Sequence, residues 1–173
     1  MLHLIPPPLH RRLLQVAHGV RIRWWRIRRP RLHGCRVLAF DREERVLLVR
    51  HSYGSGNWMP PGGGLARGED PLAGAMRELW EETGCRLHEA AEITREIEQV
   101  HGAGNTVHIV AGRTFDMPCP DGREIVETRF FALEALPEQM SAMLREQLPG
   151  WLRATTAARP GPPAPGPPPA PTG

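Results

Sequence analysis

The sequence predicts a single α/β domain between about residues 32 and 150, and three observations carry that prediction. Short apolar runs, "CRVLAF" (35–40) and "RVLLVRH" (45–51), flank a polar turn, "DREE", as paired strands do. A helix over 71–83 is punctuated at both ends by residues suited to its caps. Strand patterns then return, so strands and helix alternate within one core-sized stretch. The 173-residue chain can hold one ordinary domain with tails: a basic amphipathic leader over 1–31 and a Pro-rich tail over 151–173.

In the leader, Leu13, Val16, Ala17, Val20, Trp24 and Ile27 recur at steps of three and four, which marks an amphipathic helical stripe. From Arg21 to Arg28 an alternating, extended pattern fits as well. Nine arginines and no acid precede Asp41. Such a segment suits a membrane surface, a nucleic acid, or simple docking on the domain, the plainest of the three. An organelle transit peptide ranks below these. After the first strand pair, "ITREIEQVH" and "TVHIVAGRTF" read as two more strands around the turn "GAGN". "EIVETRFFAL" is a further strand. "PEQMSAMLREQL" opens on proline and has helical spacing, so a closing helix is expected from 137 to 148. The last residues, "RPGPPAPGPPPAPTG", lack material for a core and read as a disordered tail.

The predicted helix is where the chemistry gathers. Asp70 suits the N-cap, Pro71 the first turn, and Gly84 the residue past the end. Leu72, Ala75, Met76 and Leu79 fall on one apolar face, and Glu78, Glu81 and Glu82 are expected on a sector roughly opposite. A solvated charged face is the ordinary reading of three glutamates. Arg77 shares the helix, but the three charges are expected to stand without a balancing cation at helical spacing. A divalent ion would relieve them, since carboxylate oxygens are the hard ligands that Mg²⁺ takes together with water and phosphate. The preceding loop, "PPGGGLARGED", has glycines (Gly62, Gly63, Gly64) that let backbone approach a ligand closely.

Gly63, Glu69 and the run "RELWEETGC" from Arg77 to Cys85 resemble the Nudix hydrolase box at every specified position. A chance match is on the order of 10⁻⁷ at average residue frequencies. "NWMPPGG" is similar to the family's tryptophan-x-x-proline-glycine-glycine approach, with Pro60 where an aliphatic residue is common. The resemblance covers about 33–140. It implies an α/β/α sandwich around a mixed β-sheet, with Mg²⁺ or Mn²⁺ as cofactor. It further implies Glu78, Glu81 and Glu82 as metal ligands joined by the Gly62 carbonyl, with Glu69 and Arg77 in the supporting catalytic network. A later acid commonly joins the set; Glu124 is the candidate, then Glu127. Gly63 and Gly64 are expected against substrate, and Trp58, Tyr53 or Phe130 against a base, each equally suited to a core. His51, His101 and His108 are dispersed and read as structural.

The function so implied is metal-dependent hydrolysis of a pyrophosphate bond in a nucleoside diphosphate derivative, such as a nucleoside triphosphate or ADP-ribose. No signature for one substrate subclass is present. Two alternatives stand beside it. A non-catalytic nucleotide-binding module of the same family would show lost box glutamates, and none is lost. A membrane- or nucleic-acid-associated protein would act through the leader. Net charge is only +3, all 22 basic residues are arginine, and the chain as a whole gives no firm sign of either surface. Cys35, Cys85 and Cys119 form no CxxC pair and suit a reducing compartment. No apolar run nears the ~18 residues of a membrane span. A cytoplasmic protein is expected, and a homodimer is left open.

Overall fold

The structure is a computed structural model and describes residues 32–100 and 103–158. The readings made for the leader, for His101 and for the tail beyond 158 lie outside the described residues. Among the described residues, six strands and two helices follow in the order β1 (Leu32–Phe40), β2 (Val46–His51), β3 (Trp58–Met59), α1 (Pro71–Thr83), β4 (His88–Val100), β5 (Ala103–Arg113), β6 (Ile125–Phe131) and α2 (Ala142–Ala158).

The sheet is mixed. β1 runs parallel to β5 from Leu32↔Asn105 to Phe40↔Arg113, and β5 pairs antiparallel with β4. β6 lines one edge of β2, while the other edge meets β1 at Val46 and β3 at Val49 and Arg50. The β1–β2 turn is tied by Asp41, whose carboxylate accepts hydrogen bonds from the N–H groups of Glu43 and Arg45 at 3.0 and 2.8 Å and from Arg45 Nε at 2.7 Å. This is the turn chemistry that Asp supplies with its side chain.

Strand alternation sorts the core into two layers. Cys35, Val37 and Ala39 face α1 with Leu47, Ala75, Leu79, Leu87 and Val110. Leu38 and Phe40 face the other side with Trp58, Val107, Ile109, Leu144, Leu148 and Trp151. One helix therefore covers each face, as the α/β/α expectation holds. No helix among the described residues is long and apolar enough to cross a membrane.

Three boundaries differ from the sequence reading. "GAGN" is not the whole turn: Ala103, Gly104 and Asn105 already pair with Val100, Gln99 and Glu98. β4 also starts earlier, at His88, with register shifts after His88 and Glu92. The closing helix starts at Ala142, with Ser141 Oγ accepting from Leu144 N at 3.1 Å, not at Pro137. The residues before it serve β3, since Trp58 N donates to Gln139 O at 2.8 Å. That helix also passes through Pro149 and ends at Ala158. Pro149 and Gly150 read as a stop, but Leu148 and Trp151 are buried at 0% and 2% exposure. Burying a side chain of that size is worth several times the helix penalty of a glycine and offsets much of the proline's.

Candidate active site

The glycine loop takes the place of a strand. Beyond Phe40↔Val46, β1 and β2 part, and residues 61–65 fill the gap along β1. Cys35 N donates to Gly63 O at 2.9 Å, Val37 N to Pro61 O at 2.8 Å, and Leu65 N to His33 O at 2.9 Å. The fit leaves no room for side chains. Gly62 has φ of 147°, and a Cβ there would meet Cys35 O at 2.2 Å. A Cβ on Gly63 would meet the Glu78 carboxylate at 2.6 Å. These glycines bring backbone against β1 and against a carboxylate at once.

Helix α1 forms where the caps predict. Asp70 accepts from Ala73 N at 2.9 Å, and Gly84 closes the helix in the left-handed region at φ 68°. Its face is set differently, however. Ala75, Glu78, Leu79 and Glu82 form one stripe at i, i+3, i+4 and i+7, so two glutamates share the buried side with the apolar residues. Glu82 is 7% exposed, whereas Met76, expected in the core, is 45% exposed. Only Glu81 of the three glutamates stands out into solvent.

The expectation of an unbalanced cluster is corrected as well. Arg77 lies four residues before Glu81, and its guanidinium ties the site together. Nη1 donates to Glu78 at 2.9 Å and to Glu81 at 3.2 Å, while Nε and Nη2 donate to Glu69 at 2.9 and 3.2 Å. Arg77 hydrogen bonds hold the Glu69 carboxyl below the usual range. Glu69 also accepts from Ala66 N at 2.7 Å, which fixes the loop ahead of the helix.

Arg77 does not reach Glu82. That carboxylate accepts from Gly62 N at 3.0 Å, and His51 Nε2 stands 3.9 Å away. Burial pushes the Glu82 carboxyl up to about 8; the Gly62 N–H opposes this, and the charges of Glu78, Glu124 and Asp121 add to it. Burial also raises Glu78, against the pull of Arg77. Two carboxylates short of water, the charge of Glu78 acting against that of Glu82, are the groups that a divalent cation would most relieve. Among the described residues, no three His, Cys, Asp or Glu side chains are gathered closely enough to hold a metal as they stand. Arg77 holds Glu78, Glu81 and Glu69 in its own arrangement instead. The donors are nonetheless all hard oxygens on one cleft, and the set fits Mg²⁺ or Mn²⁺.

That cleft, of about 1370 Å³, is lined by Gly62, Gly63, Gly64, Glu69, Glu78, Glu81, Glu82 and Glu124. Glu124 arrives there because Asp121 Oδ1 accepts from the N–H groups of Arg123, Glu124 and Ile125, at 2.8–3.0 Å, just before β6. Glu127, the second candidate, instead pairs with Arg50 at 3.0 Å and is absent from the cleft lining. Trp58 is a correction: its ring packs edge-on against Phe131 at 5.0 Å in the α2-side core, 6% exposed, and cannot stack on a base. Phe130 packs on the α1-side core. Tyr53 alone of the three lines the cleft.

Several residues were missed. His51 comes to Glu82 through the register shift between Arg50 and His51, a bulge with no sequence signal. His33, Arg36, Asn105 and His108 line the sheet side of the cleft, and His108 Nδ1 lies 3.0 Å from Glu92. Asp121 was findable, since Asp-Gly is a turn signal.

Comparison with known proteins agrees with this fold. A model of the NUDIX domain matches residues 30–153. The chain is 31% identical over 120 residues to a MutT-like protein of Streptomyces ambofaciens, covering 68% of this chain and 73% of that one. It is 56% identical over 41 residues to an RNA pyrophosphohydrolase of Roseobacter denitrificans, matching 24% of this chain and only 25% of the relative's length. The crystal structure of a MutT protein from Methanosarcina mazei superposes with a TM-score of 0.64 at 20% identity, covering 74% of this chain and 97% of that chain. The family model spans the sheet, the glycine loop, α1 and most of α2, so the chain belongs to the NUDIX domain family.

Proposed function

We propose that the protein is a divalent-metal-dependent hydrolase of a pyrophosphate bond in a nucleoside diphosphate derivative. The observation that carries this reading is the buried Glu82 and half-buried Glu78 lining the cleft beside the glycine loop. Glu78, Glu81, Glu82 and Glu124 would hold Mg²⁺ or Mn²⁺, with the Gly62 carbonyl. When bound, the metal would neutralise phosphate oxygens and lower the pKa of a water.

The chain's own groups do the rest. Gly62 N–H holds Glu82 in place, and Arg77 fixes Glu78, Glu81 and Glu69 relative to the loop. The backbone of Gly63 and Gly64 is open to close approach by a phosphate. A carboxylate, Glu78 or Glu81, takes the proton as water attacks phosphorus. The bridging oxygen leaves with its electron pair, giving two phosphate-bearing products. The name of one similar protein, RNA pyrophosphohydrolase, states a pyrophosphate bond as what that protein cleaves and supports that level of specificity.

A product screen with Mg²⁺ tests the reading, using nucleoside triphosphates, ADP-ribose, dinucleoside polyphosphates and capped RNA. Glu81→Gln and Glu82→Gln run beside the parent. Activity on at least one substrate that both variants lose is expected. Full rates in both variants would end the site assignment.

A further inference from the structure

Helix α1 has a second face, turned away from the cleft. Met76 and Trp80, one turn apart, stand 45% and 52% exposed there. Past the Gly84 cap the chain returns beside them. Arg86 lays its guanidinium over the Trp80 ring at 5.5 Å, and its N–H donates to Asp116 at 2.8 Å. His88 opens β4 with its ring 5.3 Å from that of the exposed Phe115, over which Arg42 lies at 5.3 Å. Met76, Trp80, Arg86, Leu87 and His88 line a groove of about 470 Å³. None of these five lines the catalytic cleft.

Exposed Trp, Phe and Met with arginine among them is the composition of a protein interface, not of a solvated helix face. The charges narrow the occupant. Asp116 and, next to His88, Glu89 offset Arg42 and Arg86, so the face holds no positive excess for a phosphate chain. A groove edged by an indole suits an uncharged, extended run of prolines. Their rings pack on an aromatic face, and their backbone costs little to order. Residues 159–173, "RPGPPAPGPPPAPTG", are such a sequence, with eight prolines and one charged side chain, Arg159.

Their attachment point is within reach. They follow α2, which packs on β4, where Trp151 Nε1 donates to Glu96 at 3.3 Å. β4 ends the strand order of the sheet, and His88 at its start borders the groove. A path round that edge from the α2 layer to the α1 layer spans roughly 20 Å. In polyproline II form, residues 159–173 would reach about 45 Å. Tethering also raises their local concentration to the order of millimolar, so a weak contact suffices.

We propose that the groove beside Trp80 is the docking site of the chain's own residues 159–173, bound in extended form on the outer face of α1. A segment seated there braces the helix whose inner face carries Glu78 and Glu82. The proposal is independent of the pyrophosphohydrolase reading.

Photo-methionine in place of methionine tests this in the full chain. Irradiation at micromolar concentration, then digestion, should show Met76 joined to the fragment carrying residues 159–173, within single chains. Trp80→Ala should cut that yield about tenfold, as loss of an aromatic anchor does. A second measurement follows the carbon-13 signals of the methionine methyls. Pro163→Ser combined with Pro165→Ser, Pro168→Ser and Pro169→Ser should shift the Met76 signal and leave that of Met140, in the α2-side core, in place. These four positions lie outside the described domain, which keeps the test clear of misfolding. Absence of a crosslink to 159–173, or a yield that Trp80→Ala leaves unchanged, overturns the proposal. So does a Met76 signal indifferent to the four substitutions. Crosslinks found only between chains, or a Met76 shift that follows protein concentration, would seat a second copy on this face and overturn it too. A Met76 shift produced only by added oligouridine would do the same in favour of a nucleic acid.

Discussion

The two helices cover opposite faces of one sheet, yet they solve opposite problems. α2 buries Leu144, Leu148 and Trp151 on an uninterrupted apolar stripe, strong enough to carry Pro149 within the helix. α1 has a stripe of the same spacing, but Glu78 and Glu82 occupy half of it. The contrast teaches where this fold gives up stability. α2 is committed to the core, while α1 places charge where packing alone would choose leucine.

The comparison breaks most sharply at Glu82. Glu82→Gln should lower the metal-dependent rate on the order of 10³-fold, the scale on which one preorganised charge-stabilising group matters. Thermal melting of the metal-free variant should show no loss of stability, because the replaced charge was already poorly solvated. A variant that melts lower and keeps its rate would show that Glu82 serves the core.

The mirror-image change is Trp151→Ala. It should cost about 3–5 kcal/mol in denaturant unfolding, as large-to-small changes in well-packed cores do. The rate per folded molecule should stay within about twofold of the parent. Loss of rate without loss of stability would mean that α2 reaches the site.

A pH series sharpens the same contrast. Glu82 titrates near 8 when folded and near 4.5 when unfolded, and Glu78 is shifted the same way. Folding therefore takes up protons within that window, so metal-free stability should fall as pH rises from about 4.5 to about 8. Added Mn²⁺ should flatten the decline. A melting temperature that rises across this window without metal would contradict the buried pair.

The smallest effect belongs to the cap. Asp70→Ala should cost about 1 kcal/mol through the lost hydrogen bond to Ala73 N. Its consequence for the rate should be equally slight.

Local chemistry was legible in the sequence wherever caps and turns decide it. Asp70, Pro71 and Gly84 fixed α1 to the residue, and the resemblance around Gly63–Cys85 named the carboxylates. What depends on long-range packing was not. Glu78 and Glu82 sit on the buried stripe because the loop at Gly62 and Gly63 comes to meet them, a contact across about 20 residues of sequence. Trp58 looked equally suited to a base or a core, and only the arrival of Phe131 and Met140 decided it. Likewise, Pro149–Gly150 read as an end because nothing local announces that Trp151 has a pocket waiting.

The strand-like seating of residues 61–65 has a dynamic corollary. A run of three glycines between two prolines and a helix would ordinarily be the loosest part of a domain. Here its backbone is locked into the sheet through the amides of Cys35, Val37 and Leu65. Those three hydrogens should exchange with deuterated solvent as slowly as the middle of β5, leaving a rigid rail on which a ligand arrives without first having to order it.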